Sequence, residues 1–325
     1  MMNRRQFTAL LGSAFSASSL QAHGQQPGRT YRIGCLYPNP REAPQHIALF
    51  EELRRLGFIE GQNLTIHPHG FGLRSEQFLQ AAVELVNAGP DVILAGGNPA
   101  IRAAQQATTT IPILGLTDDM VGSGLTASMA HPGANTTGVS LLATELDGKR
   151  QELLIELIPE VRRIAALTDP NTTEPRQLQA LQDAARAHDL YLDIRTAGTP
   201  EEIVPAIDAA KASGVAGLNV LASPVLFANR RLIFERASTL RLPAIYQWPE
   251  MAREGGLAGY GPSIVQLFRD VLSRQLVKLL EGAKPADLPV EQPTKFELVI
   301  NENAAKALGV TIPRSMLMLA DEVLE

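Results

Sequence analysis

The chain of 325 residues carries a net charge of −5, and its 45% of hydrophobic residues are enough for a globular core. Its lysines and arginines are scattered, which argues against a nucleic-acid partner, and its length exceeds one typical core and suits two lobes. Cys35, the single cysteine, can form no internal disulfide, and its place in the first strand points to a core thiol rather than a nucleophile.

Residues 1–24 have the tripartite form of an export signal. Arg4 and Arg5 precede a modest apolar run over 7–17, and Ala22 and Gly24 are small residues at a cleavage site. Asn3-Arg4-Arg5-Gln6-Phe7 also resembles a twin-arginine motif, so the expected location is the periplasm. No later run is long and apolar enough to span a bilayer, so a soluble mature protein is expected.

Strands and helices then alternate. A strand over 33–37 is followed by a helix with Leu49, Phe50, Leu53 and Leu56 on one face, ended by Gly57. A second strand covers 64–67, and a helix opens at Ser75 and closes near Gly89-Pro90. The stretch PDVILAGGNPAIRAAQQATTTIPILGLTDD (90–119) reads as a βαβ unit: an apolar run over 92–95, a Gly-Gly turn, a helix opened by Asn98-Pro99, and a second apolar run over 111–116. Asn is a favoured N-cap and Pro suits the first helical turn, so a helix N-terminus with free N–H groups is expected just past the strand. Thr117, Asp118 and Asp119 follow the next strand at the same sheet edge, where ligands of open α/β sheets bind.

The irregular, glycine-rich segment 121–138 is the expected first crossing between lobes. Beyond it come a helix with Leu146, Leu153, Leu154 and Leu157, a strand over 164–168, and a capping box at Thr199-Pro200-Glu201-Glu202. Strands over 215–221 and 243–246 follow. Gly255-Gly256 and 257–260 should return the chain to lobe one, where a helix with Ile264, Leu267, Phe268, Val271 and Leu272 packs on the first sheet. The expected boundaries are thus 1–24 for the signal, 29–120 plus 255–284 for lobe one, and 121–254 plus about 285–325 for lobe two with a C-terminal crossing segment.

An internal repeat supports two like lobes. GLNVLASP (217–224) places Ser223-Pro224 after an apolar run as VILAGGNP (92–99) places Asn98-Pro99. Leu242-Pro243-Ala244-Ile245 echoes Ile111-Pro112-Ile113-Leu114, and the runs 32–36 and 163–167 match as opening strands.

If the lobes face each other, the loops after their strands line one cleft. Tyr37, Asn98, Thr117, Asp118 and Asp119 come from lobe one. Thr168, Asp169, Asn171, Ser223, Phe227, Tyr246, Gln247 and Trp248 come from lobe two, and Tyr260 lies near the same edge. A few aromatics with convergent polar groups make a small-molecule pocket, and Asp118 with Asp119 could hold a ligand ammonium. GxGxxG after the first strand, GxxxxGK[ST], GxSxG and HExxH are all missing. His67 and His69 have no third ligand at metal spacing. No cofactor, no metal and no catalytic residue is therefore assigned.

GNPAIRAAQQATTTIPI, GLTASMAHPGANTTGVS, GLAGYGPSIVQLFRD and LEGAKPADLPVEQPTKFELVINENAAKALGVTIP resemble segments of the ABC-transporter substrate-binding proteins of the periplasmic type I fold, which include tryptophan- and tyrosine-binding members. The resemblance spans nearly the whole chain. It implies an α/β protein of two doubly wound parallel-sheet lobes joined by three crossing segments at a hinge, with a small-molecule ligand clamped there, delivery to a membrane ABC permease, and no catalysis. Carried over by position, it places the pocket at Tyr37, Asn98, Pro99, Thr117, Asp118, the loop 169–172, Ser223 and Tyr246. Two positions depart from the family pattern: Asn98 stands where Thr or Ser is commoner, and Asp119 where Pro is commoner. Two acids disfavour a carboxylate-only ligand more than an amine or a polyhydroxy compound. A monomer is the simplest expectation for a shuttling binder. Rival readings are a periplasmic sensor that presents ligand to a receptor, a two-lobed isomerase-type enzyme, and a transcription regulator, for which the start of the chain is export-like rather than helix-turn-helix.

Overall fold

The computed structural model describes residues 28–325; the export signal expected over 1–24 lies outside the described residues. Lobe one is built from β1 (Tyr31–Leu36), α1 (Pro44–Arg55), β2 (Leu64–Ile66), α2 (Phe78–Asn87), β3 (Val92–Gly96), α3 (Asn98–Ala107), β4 (Ile113–Thr117) and β5 (Thr136–Ser140). Its strands form a parallel sheet in the order β2-β1-β3-β4-β5. Every residue of β3 and β4 is buried, as continuous apolar runs covered by helices on both faces require.

Lobe two runs through α4 (Ala143–Leu157), β6 (Arg163–Thr168), α5 (Pro175–Ala187), β7 (Tyr191–Thr196), α6 (Pro200–Ala212), β8 (Gly217–Val220), α7 (Pro224–Ala228), α8 (Arg230–Thr239), β9 (Ala244–Tyr246), α9 (Pro249–Arg253) and β10 (Ala258–Gly261). Its sheet is completed by β11 (Glu297–Asn301) and β12 (Glu322–Leu324) in the order β12-β11-β10-β9-β8-β6-β7, with only β10 and β11 antiparallel. The first five strands of each lobe therefore follow one order: β7-β6-β8-β9-β10 repeats β2-β1-β3-β4-β5. The repeat read from the loops is a repeat of topology, and in this order the crevice for ligands lies where β1 meets β3 and where β6 meets β8.

The lobe boundaries differ from expectation. Residues 121–135 stay on lobe one, because β5 pairs with β4 along its whole length. The first crossing follows at Leu141 and Leu142, where Leu142 takes a left-handed φ of 57° before α4 begins. Residues 255–261 do not return to lobe one: β10 pairs with β9 on one side and β11 on the other. The second crossing falls at 262–263, and the chain then forms α10 (Ile264–Gln266), a π-helical segment Leu267–Leu272 and α11 (Ser273–Leu280), which joins the lobe-one core with Leu272, Leu276 and Leu280 buried. The third crossing hugs β5, with Glu291 accepting from Ser140 N at 2.9 Å, before β11 opens in lobe two. The glycine pair at 255–256 marked a turn within lobe two, and pairing partners distant in sequence decided the rest.

Two helix starts also differ in detail. Gly97, with a φ of 86°, is the N-cap of α3, and Asn98 is its first helical residue. The Thr199 hydroxyl does not cap α6; Glu202 Oε2 instead accepts from Gly198 N at 2.8 Å. Among the described residues, no helix is long and apolar enough to cross a membrane, and no cluster of His, Cys, Asp and Glu could hold a metal.

Candidate functional site

The lobe-one wall starts at the end of β1. The Tyr37 ring packs against Gly96, where a Cβ would sit 2.4 Å from its Cδ1 and Cε1, so only glycine lets the phenol reach this place. His46 packs edge-on against Tyr37 with ring centroids 4.8 Å apart, and Phe268 from the π-helical segment lies 5.9 Å away. A π-segment inside a helix is often found at functional sites. His46 Nδ1 donates to Pro40 O at 2.8 Å, and burial pulls its imidazole down to a pKa of about 4, so the ring is neutral near pH 7. Burial also pushes the Tyr37 phenol above its ordinary range, and its hydroxyl has no partner. Asn39 Nδ2 and Gln45 Oε1 are likewise buried without partners.

At the end of β4, Thr117 Oγ1 donates to Asn98 Oδ1 at 2.5 Å, and Asn98 Nδ2 donates to Ser123 Oγ at 3.0 Å. The neighbouring Asp118 is different: it is only 9% exposed and its Oδ2 meets no donor. Burial, and then the nearby Asp147, hold its carboxyl well above the usual range, while Arg150 pulls the other way.

The lobe-two wall is internally bonded. Asp169 Oδ1 accepts from Asn171 N and Nδ2 at 2.9 and 3.0 Å, and its Oδ2 accepts from Ser223 Oγ at 2.8 Å. Ser223 caps α7, accepting from Val225 N and Leu226 N at 3.1 and 3.2 Å, while its own N–H donates to Gln247 Oε1 at 3.0 Å. The apolar part is Phe227 edge-on to Trp248, centroids 6.1 Å apart, with the Arg230 guanidinium over the Phe227 ring, 4.6 Å from its centroid. Trp248 Nε1 is buried and unpartnered. Behind it, Arg150 pairs with Asp147, both fully buried, and donates to Tyr260 O at 3.0 Å.

Between these walls lies a cavity of about 50 Å³ lined from both lobes. Tyr37, Thr117, Asp118, Ser223, Phe227, Gln247 and Trp248, all named from the sequence, line it. Asn98, Pro99, Asp169, Asn171, Thr172, Tyr246 and Tyr260 do not. Tyr246 is core, its ring edge-on to Phe234 at 4.9 Å, and Tyr260 stacks on Phe296 at 6.4 Å. Sequence reading missed Asn39, Gln45, Gly96 and Phe268. Gln45 carried one signal, an amide between the buried Ala43 and Ala48 at the start of α1. Phe268 read as ordinary core.

The lobes touch around the cavity. A Cβ on Gly97 would lie 2.8 Å from Pro224 Cγ across the cleft. Ion pairs join Arg176 to Asp119, and Arg74 to Glu201 at 3.1 Å, with Ser123 Oγ 3.5 Å from Glu174 Oε1. The cleft is closed.

The family model described as ABC transporter substrate binding protein matches residues 47–324. The chain is 26% identical over 259 residues to the tyrosine-binding protein of Clostridioides difficile (strain R20291), covering 78% of this chain and 73% of that one. Among solved structures, a conserved domain protein of Vibrio cholerae O1 biovar El Tor superposes with a TM-score of 0.80 at 25% identity, covering 91% of this chain and 99% of that one. A Streptococcus pneumoniae domain in complex with L-Trp gives 0.78 at 24% identity, covering 91% and 100%, and shares the fold. Two doubly wound lobes closed on one cavity, and a family match over most of the length, lead to one conclusion: this chain belongs to the ABC transporter substrate-binding protein family.

Proposed function

We propose that the protein captures a small amine-bearing, amino-acid-like molecule outside the cytoplasm, in the cavity between its lobes, and delivers it to a membrane ABC permease. The observation that carries this reading is Asp118. A buried carboxylate whose Oδ2 lacks a donor is costly unless something fills that place, and a ligand ammonium is the complement. Tyr37, Phe227, Trp248 and Phe268 supply the flat apolar walls that orient a small ligand. The names of two similar proteins, one tyrosine-binding and one solved with L-Trp, agree with a ligand of this size and kind.

Transport follows from closure. A ligand that touches Asp118 on lobe one and Trp248 on lobe two gains more in the closed form than in the open one, and shifts the population toward it. A permease that docks only the closed form then receives loaded protein. The protein acts as a monomer in this scheme.

A thermal-shift screen of the purified chain against amino acids, aromatic acids, polyamines, nucleosides and sugars tests the reading. A ligand at about a hundredfold excess over its Kd adds roughly 2.7 kcal/mol, a clear midpoint shift. Recovery of the hit unchanged after incubation supports binding; its conversion would revive an enzyme, and hits confined to sugars or nucleosides would sink the amine reading.

A further inference from the structure

Behind the lobe-one wall of the cavity lies His46, a buried histidine in the first turn of α1. Its ring sits among three aromatic rings, with centroids 4.8 Å from Tyr37, 5.1 Å from Phe71 and 5.6 Å from Phe268, at interplanar angles of 61°, 59° and 58°. Tyr37 and Phe268 line the cavity, one from the end of β1 and one from the π-helical segment that follows the second crossing. His46 is not among the lining residues.

A phenylalanine would fill this place at lower cost. A neutral imidazole carries one N–H and one bare nitrogen. Pro40 O can only accept, so Nδ1 carries the proton and donates to it at 2.8 Å, and Nε2 is left as a bare acceptor, buried without a partner. Burial outweighs the Pro40 bond and holds the imidazole at a pKa of about 4, so this arrangement persists near pH 7. A buried acceptor with no donor costs free energy that a benzene ring would not. Packing alone therefore does not account for histidine here; what histidine adds is the bond to Pro40.

That bond matters because of what the loop carries. Residues 37–40 bring Tyr37 and Asn39 to the cavity. The loop is laced to residues 70–73, with Tyr37 N donating to Gly70 O at 2.8 Å, Gly72 N to Asn39 O at 3.0 Å and Leu73 N to Tyr37 O at 3.1 Å. At its other end, Pro40 O accepts from Ala43 N at 3.1 Å and from His46 Nδ1, which ties the loop to α1 and so to Gln45, a further lining residue. Ala43, the N-cap of α1, offers no side-chain bond, and the imidazole does that fastening.

We propose that His46 is the positioning residue of the lobe-one wall, on the reading of this cavity as the ligand site. Its Nδ1–H fixes the loop 37–40, and its ring holds Tyr37 and Phe268 in place, so the wall is set before a ligand arrives. A wall fixed in advance spares the ordering cost of binding.

Two variants separate the bond from the ring. His46→Phe keeps a ring and loses the donor, while His46→Asn keeps an N–H for Pro40 O and loses the ring. Amide hydrogen exchange of the ligand-free chain, read by NMR, should be about three- to tenfold faster at Ala43, Gly72 and Leu73 in His46→Phe, the weight of one hydrogen bond, with 264–272 unchanged. In His46→Asn the pattern should reverse, with 264–272 faster and the loop amides held. Faster exchange throughout the chain in both variants would mark an ordinary core residue and overturn the assignment, as would unchanged loop amides in His46→Phe. Calorimetry with L-tyrosine and L-tryptophan as probes gives the second readout: His46→Phe should lose about three- to tenfold in affinity at an unchanged melting point. Affinity equal to wild type with the loop loosened would overturn the role in binding. If the wild type binds neither probe, an aromatic amino-acid cargo falls, and the exchange rates still decide the role of His46.

Discussion

Asp118 and Asp169 both follow a strand at the carboxyl edge of their sheet, one after β4 in lobe one and one after β6, the counterpart of β1, in lobe two, and both are buried. Their surroundings divide them. Asp169 accepts from the backbone and amide of Asn171 and from Ser223 Oγ, and so ties the two loops that flank the lobe-two crevice. Asp118, which lines the cavity, keeps a buried oxygen with no donor. One acid builds the wall and the other waits for a partner. A buried acid in a cleft is thus not by itself a ligand site; the state of its second oxygen decides.

The largest effect should come from Asp118→Ala. Truncating one partner of a buried, hydrogen-bonded charge pair costs about 2–5 kcal/mol of binding, so calorimetry should show a loss of affinity of about thirtyfold or more. The ligand-free fold should be no less stable, since an unpaired buried carboxylate disappears. Equal ligand affinity in wild type and variant would break the comparison.

Asp169→Ala should do the reverse. It strands the Ser223 hydroxyl and the Asn171 N–H, so urea unfolding should show a stability loss of about 1–3 kcal/mol. The effect on ligand affinity should be smaller than that of Asp118→Ala.

pH sharpens the contrast. Burial raises the carboxyls of both acids above their ordinary value of 3.8 in the folded protein. The folded chain therefore holds these protons when the unfolded chain has lost them, and stability falls as pH rises from about 4 toward the folded-state pKa values. Urea midpoints from pH 4 upward should fall less steeply in ligand-free Asp118→Asn, because that group no longer titrates. Affinity for a cationic ligand should move the opposite way and weaken as pH drops through the Asp118 pKa, where the carboxylate is lost.

Gly97→Ala addresses the contact between the two walls. With a φ of 86° and a ψ of 158°, Gly97 sits in a region essentially reserved for glycine, which costs a side chain about 1–3 kcal/mol, and the new methyl also meets Pro224 when the lobes close. Both a lower melting point and a weaker affinity are expected, and small-angle scattering should show a larger radius of gyration with ligand present than for wild type. The smallest effect belongs to Arg176→Ala. Its ion pair with Asp119 crosses the cleft mouth but both groups are exposed, so at about 0.2–1 kcal/mol affinity should fall at most about fivefold. Salt should already weaken the wild type toward the variant.

Much of this protein was legible in its sequence, for a local reason. Continuous apolar runs at 92–95 and 111–116, and Pro at the openings of α3, α6 and α7, act within a few residues, so strands, helices and the repeated order of the lobes could be read directly. The segments from 256 to 313 also carried the family. Several cavity residues were legible as well, because loops after parallel strands gather at one edge.

What tertiary structure decided was pairing between residues far apart in the chain. Whether residues 255–261 returned to lobe one depended on β10 finding β9 and β11. Whether Asn98 faced a ligand depended on Ser123 and Thr117, and whether Asp169 stayed open depended on Ser223, fifty-four positions away. Hydrogen-bond satisfaction is a property of the folded neighbourhood, not of residue type. The sequence by itself determined that acids and aromatics would line the cleft; only the fold left Asp118 without a partner.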